Sequence, residues 1–267
     1  MTSFRRLIVF VFVLTILSCK KGNAQKRDFT AQENKFAILY SHLLERLQDH
    51  WDTIKLYSDK FTIPFTNFVK ANSATLNYPF RKLTDSNYVQ IKTSSDGHFR
   101  IYSWDTWTGG TMYEFNTIYQ WMENGKVFIK IVPHTIKDDP GSFVSQIFTV
   151  TINNKPYYLP VTNGIYSNKD ARQTIAVYTI DNSKLIDTVK LFKTKIKRLN
   201  RIDVDFDFFS VVDRPERPLK LITYDDKQKI IYIPVVGNKE QVTSSNIMYQ
   251  LKGRYFEFIG VEKGKLK

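Results

Sequence analysis

Apolar residues in the first third of the chain recur at helical spacing. Phe36, Leu39, Tyr40, Leu43, Leu44, Leu47, Trp51 and Ile54 follow steps of three and four, which lines them up as one buried stripe of an amphipathic helix. Thr30 followed by Glu33 has the spacing of a capping box at its start. A second, shorter helix is predicted over 58–71, with Pro64 in its first turn or kinking it. His42 and His50 are too far apart to place two ligands on one metal from one helix face, and are read as helix-surface residues.

From Asn87 onward the period changes to two. Short β-branched and aromatic runs at 99–102, 127–129 and 157–159 alternate with the pairs Asp96-Gly97, Asn124-Gly125, Asn153-Asn154 and Asn182-Ser183. Asp225-Asp226 and Lys252-Gly253 follow later. Such residues tolerate the positive φ of tight hairpins, and their regular recurrence predicts serial hairpins with roughly eleven or twelve strands in an antiparallel meander. The predicted fold is therefore α+β, mainly β: an N-terminal helix or helix pair over 30–83, then a meander over 84–267 packed against it. The sheet is expected to be open or partly closed, with a propeller or a barrel as the alternatives.

One segment of the meander carries unusual charge. Lys190, Lys193, Lys195, Lys197, Arg198 and Arg201 precede the alternating acids Asp203, Asp205 and Asp207. A reversal at Asn200 would set Lys193 opposite Asp207, Lys195 opposite Asp205 and Lys197 opposite Asp203, a cross-strand charge ladder contributing about 0.2–1 kcal/mol per pair. Its other face would match Phe192 with Phe208, Thr194 with Phe206 and Ile196 with Val204. A polyanion patch and a calcium site are the alternatives, although Phe208 stands where an EF-type loop needs glycine. No metal ligand set is picked out.

The N-terminus changes the picture from fold to address. Arg5 and Arg6 precede an apolar run over 7–17. At about 1.5 Å per residue this run falls well short of the roughly 30 Å membrane core, so it reads as a signal-peptide h-region over 1–18 and not as an anchor. Ile16-Leu17-Ser18-Cys19 resembles the lipobox of bacterial lipoproteins, which implies that Cys19 becomes an acylated N-terminus and residues 19–29 a tether. Acyl chains at about 0.8 kcal/mol per buried CH₂ would hold the chain on a bilayer, helped by Lys20, Lys21, Lys26 and Arg27. The first acid after Cys19 is Asp28, and by resemblance to lipoprotein sorting signals the expected location is the periplasmic face of an outer membrane. Cleavage after Ala24, giving a soluble secreted protein, is the alternative.

Composition excludes more than it selects. With 42% hydrophobic and 15% aromatic residues the chain of 267 residues can bury a core, so disorder is excluded. A single cysteine excludes a disulfide framework. The net charge of +13 is weak support for a polyanionic ligand, because Arg5 and Arg6 leave with the signal peptide and four bases sit on the tether. Nucleic acid is not an expected partner.

Candidate chemistry concentrates in 102–112, where Trp104, Asp105 and Trp107 precede Gly109-Gly110. Tryptophans in such a loop either plug the end of a sheet or bind a sugar or protein partner. Gly-x-Ser-x-Gly and His-Glu-x-x-His are absent from the sequence, so no catalytic residue and no cofactor is picked out. Cys19, the 96–105 segment with Gly109-Gly110, and the closing pattern from Tyr232 and Pro234 to Gly253 and Phe256 resemble uncharacterised lipoproteins common in Bacteroidota. That resemblance implies a location and no activity. The expected role is a binding or scaffold module contacting the bilayer through Cys19 and an envelope protein or glycan through its folded part. A glycan or cell-wall hydrolase using carboxylates near Trp104 and Trp107 is the alternative, and a carrier of an apolar ligand the weaker one.

Overall fold

The computed structural model describes residues 28–47, 51–132 and 139–263. The signal-peptide region and Cys19 lie outside them. The fold is α+β and mainly β, with 45% of the described residues in strands against 25% in helices, and its sheets do not close into a barrel.

Helix α1 spans 28–46 and buries Phe29, Phe36, Ala37, Tyr40 and Leu43, the expected stripe. Asp28 and Phe29, assigned to the tether by sequence, are already helical. The stripe does not continue as one helix: Trp51 sits in a single 3₁₀ turn, Trp51–Thr53, and is 62% exposed, while Ile54 opens a new helix. This helix, α2 (Ile54–Ala71), buries Ile54, Ser58, Phe61, Phe65 and Val69 and runs through Pro64. An interior proline costs about 3 kcal/mol through its missing donor and ring clash. The stacked Phe61 and Phe65, both fully buried, supply the opposing term.

Glu33 does not form the expected capping box. Thr30 already lies inside α1, and the buried Glu33 carboxylate reaches across to the short helix α3 (Arg81–Asp85). There it accepts the amides of Lys82 at 2.6 Å and Leu83 at 3.3 Å and the Tyr78 hydroxyl at 2.7 Å. The residue before α3, Phe80, is held at φ 47° and makes no side-chain cap, so the acid satisfies the exposed amides from outside and complements the helix dipole.

Strands β1 (Gln90–Thr93), β2 (Phe99–Asp105), β3 (Phe115–Glu123) and β4 (Lys126–Val132) form an antiparallel meander in that order. Its helix-facing side places Tyr102, Trp104 and Ile118 against Phe36, Phe61, Phe65 and Phe80. Its other side packs Phe99, Ile101 and Trp121 onto Val144 and Tyr158. Coverage on both faces explains why β2 is buried along nearly its whole length.

A second sheet takes the order β12-β7-β6-β5, from β5 (Phe143–Ile152), β6 (Lys155–Ile165), β7 (Asp170–Ala176) and β12 (Arg201–Asp207). Between β7 and β12 run a two-stranded ribbon, β8 (Thr179–Asp181) with β9 (Lys184–Ile186), and the stubs β10 (Phe192–Lys193) and β11 (Arg198–Leu199). The stubs join a third sheet ordered β11-β10-β16-β15-β14-β13, completed by β13 (Thr223–Asp225), β14 (Ile230–Val236), β15 (Val242–Lys252) and β16 (Tyr255–Lys263). Leu159, Val161, Ile175 and Val204 of the second sheet meet Phe192, Ile231, Ile233 and Phe256 of the third in one apolar core.

The expected turn pairs all sit at hairpins, with φ of 72° at Gly97, 50° and 74° at Asn124 and Gly125, and 50° and 62° at Asn153 and Asn154. They do not build one continuous meander. The hairpins are distributed over three sheets and a ribbon, and β10 meets β16 in parallel.

The charge ladder is not formed. The chain reverses at Thr194–Lys197, where the Thr194 hydroxyl accepts the amides of Ile196 and Lys197 and sets Lys193 opposite Arg198. Strand β12 then pairs with β7, placing Asp203 opposite Thr174, Asp205 opposite Arg172 and Asp207 opposite Asp170. The acids find other partners: Arg172 forks onto Asp205 at 2.6 and 3.1 Å, Arg201 reaches Asp203 at 2.9 Å, and Lys169 lies 4.0 Å from Asp207. Lys193 pairs with Glu257 at 2.8 Å, Lys195 lies over the Phe258 ring, and Lys197 sits in the exposed turn. The alternation on β12 itself is as expected, with Val204 and Phe206 buried. Ile196, expected in the core, is 90% exposed.

Candidate functional site

Two depressions flank the first sheet. The smaller lies at the Trp104–Trp107 segment, where β2 ends and the chain loops through 106–114 before Asp105 pairs with Phe115. Trp104 is not an exposed contact residue. It is 2% exposed, stands edge-on to Phe61 and Phe65, and donates its indole N–H to the Thr62 hydroxyl at 3.1 Å. It closes the inner end of the depression.

Trp107 is placed differently. Asp105 Oδ1 accepts its amide at 2.7 Å, which holds the tryptophan at φ 58°, and the indole N–H donates to the Tyr40 hydroxyl at 3.0 Å. That hydroxyl in turn donates to the Asp105 carbonyl at 3.0 Å. The loop needs glycine at position 109, because a Cβ there would stand 1.9 Å from the Met112 carbonyl oxygen. Thr106 and Thr108 tie the loop together through their hydroxyls at 2.6 Å, and Thr108 donates to the Glu114 carboxylate.

The result is a cavity of about 350 Å³ whose walls include Tyr40, Tyr88, Trp107, Tyr113, Phe115 and Phe143 around Asp105. Tyr40 and Tyr88 stack at 4.8 Å, Trp107 and Tyr113 lie 6.0 Å apart, and Phe115 and Phe143 5.2 Å apart. Burial among these rings pushes the Asp105 carboxyl up to about 7, the nearby Glu114 charge adding to the shift and the Trp107 amide opposing it. Burial and the Asp105 charge also push the Tyr40 hydroxyl up.

The larger depression is a groove of about 700 Å³ between the outward face of the second sheet and the β3 side of the first. Strand alternation decides its lining: odd positions Leu159, Val161 and Ile175 enter the core, so even positions Thr162, Arg172 and Thr174 face the groove. Thr117 and Ser142 add hydroxyls. Tyr119 and Tyr178 stack at 5.6 Å along one end, and burial and neighbouring Tyr178 and Asp187 push the Tyr119 hydroxyl up. At the other end the Arg172 guanidinium, held by Asp205, lies 5.3 Å from the Tyr166 ring centre. Arg201 and its partner Asp203 complete the row, and Thr174 donates to Asp203 at 2.6 Å.

The structure therefore brings Asp105 and Trp107 together as a site and turns Trp104 into packing. Asp203 and Asp205 belong to the groove's charge pairs, with arginines in place of the expected lysines. The sequence reading missed Tyr40 and Tyr88 as site residues, since Tyr40 reads as one more member of the helix stripe. It also missed Arg172 and Arg201, whose only signal is the alternation of their strands. Among the described residues no group of three or more His, Cys, Asp or Glu could hold a metal ion, and no helix is long and apolar enough to cross a membrane. No protein-family model, curated protein or solved structure matches the chain.

Proposed function

We propose that the protein is a lipid-anchored binding module of the bacterial envelope that holds a hydroxyl-rich, glycan-class ligand in the groove between its first and second sheets. The groove's lining carries this reading. It combines a floor of hydroxyls and small side chains, aromatic rings at both ends, and arginine–aspartate pairs whose planar donors and acceptors are fixed in place before a ligand arrives. The anchor is assigned to Cys19 from the sequence alone, on the order of basic residues, apolar run and lone cysteine. The periplasmic face of the outer membrane is the location this reading adopts.

The alternatives draw less support. Glycoside hydrolysis by paired carboxylates needs two acids across one cavity. Asp105 is the one acid lining the aromatic cavity, and the nearby Glu114 carboxylate accepts the Thr108 hydroxyl. Of the two acids lining the groove, Asp139 accepts the Gly141 amide and Asp187 lies 3.8 Å from Lys130. Carriage of an apolar ligand calls for a closed barrel with an empty interior, whereas these sheets are open.

Titration of the full chain with soluble peptidoglycan fragments tests the groove. Saturable binding is expected, weakened at least about tenfold by Thr162→Trp, which fills the floor. Absence of saturable binding, or equal binding by Thr162→Trp, overturns the assignment. Cys19→Ala is expected to move the protein from the membrane to the soluble fraction, and an unchanged membrane fraction contradicts the anchor.

A further inference from the structure

We propose that the aromatic cavity around Asp105 is a second binding site, next to the groove and sharing Phe115 with it, for a small organic cation of the alkylammonium class. Three ring pairs, Tyr40–Tyr88, Trp107–Tyr113 and Phe115–Phe143, line it. The faces of aromatic rings carry negative potential, and rings grouped around one point attract a desolvated ammonium. Asp105 is the only acidic or basic residue among those that line the cavity. Its Oδ1 is engaged by the Trp107 amide, and its Oδ2 has no hydrogen bond among the described residues. Asp105 thus stands in a largely aromatic lining that holds no counter-charge.

Other ligand classes fit the same walls less well. An anion would be repelled by Asp105. A neutral apolar molecule would desolvate the carboxylate further without giving it a partner. A sugar would meet the polar side chains of Ser86, Asn87 and Gln90 in the lining but would bring no charge to Asp105. An alkylammonium brings Asp105 a counter-charge and the rings a cation at once. At about 350 Å³ the cavity stands at the small end of ligand sites.

The test is calorimetric titration of the full chain with choline and with its neutral isostere, in which carbon replaces the nitrogen. Choline is expected to bind at least about tenfold more tightly than the isostere. Asp105→Asn keeps the oxygen that accepts the Trp107 amide and is expected to abolish that preference. Affinity for choline should rise as pH is raised through about 7, because burial holds the Asp105 carboxyl protonated below that point. The titratable groups facing Asp105 are Tyr40 from α1, Tyr88 from the segment before β1, and Tyr113 and Glu114 from the loop before β3; of these, Glu114 contributes to raising it. Phosphatidylcholine vesicles, set against phosphatidylglycerol vesicles, distinguish a lipid headgroup from a free solute as the source of the cation.

Equal affinity for choline and its isostere overturns the proposal, as does undiminished choline binding by Asp105→Asn or a flat pH profile between 5.5 and 8.5, roughly one and a half units either side of the expected midpoint. If Asp105→Asn fails to fold, the comparison of choline with its isostere on the unaltered chain decides. Thr162→Trp should leave choline binding unchanged, so failure at this site and failure at the groove are read separately.

Discussion

The groove and the aromatic cavity handle charge in opposite ways. In the groove Arg172 and Arg201 meet Asp205 and Asp203 at hydrogen-bonding distance, and all four side chains remain partly exposed. In the cavity a single carboxylate stands among rings, and its pKa is pushed up to about 7 in consequence. Paired charges at a surface contribute little to stability and define a polar template. An unpaired, partly desolvated charge lowers stability in the empty protein and leaves an interaction for a ligand to complete.

The contrast can be broken at three points. Trp104→Ala has the largest expected effect, a loss of about 3–5 kcal/mol, because the indole closes the cavity and packs on Phe61 and Phe65. Chemical denaturation measures it, and a loss below about 1 kcal/mol would mean that the ring is not part of the core.

Asp105→Asn comes next, with the opposite sign. A carboxyl raised on folding favours the native state fully below the unfolded pKa, and this contribution is lost as pH rises through the folded value of about 7. The wild type should therefore lose stability between about pH 4 and pH 7 relative to the asparagine variant. At pH 8 the variant should be more stable by about 2 kcal/mol, a value reduced from the full shift for partial solvent screening, and the gap should close near pH 4. Thermal unfolding across that range gives the answer, and a constant difference would contradict the burial assigned to Asp105.

Arg172→Ala should have the smallest effect, about 0.2–1 kcal/mol, since its side chain and that of Asp205 are 33% and 55% exposed. A cost of several kcal/mol would make the groove's pairs part of the folding core and remove the contrast.

Features set by neighbouring residues were legible in the sequence. The stripe from Phe36 to Leu43, the hairpin turn at Asn124-Gly125 and the inward Val204 and Phe206 all follow from local period and turn chemistry. The choice of partner strand was not legible. Asp205 is satisfied as well by Arg172 as by Lys195, and local charge cannot distinguish a strand about thirty residues upstream from one that is adjacent. The deciding feature was Thr194, whose hydroxyl closes a turn ahead of Asn200. Half of the cavity was similarly visible: Asp105, Trp107 and the glycine at 109 signal a special loop, whereas Tyr40, Tyr88 and Phe143 come from three distant segments. The groove was invisible because it exists only between two sheets.

The most direct measurement is the titration of the Asp105 carboxyl carbon by NMR, in the free protein and in the presence of saturating choline. A midpoint near 7 in the free protein, falling when choline is bound, is the expected result. A midpoint near the ordinary carboxylate value of 3.8 in both states would contradict it.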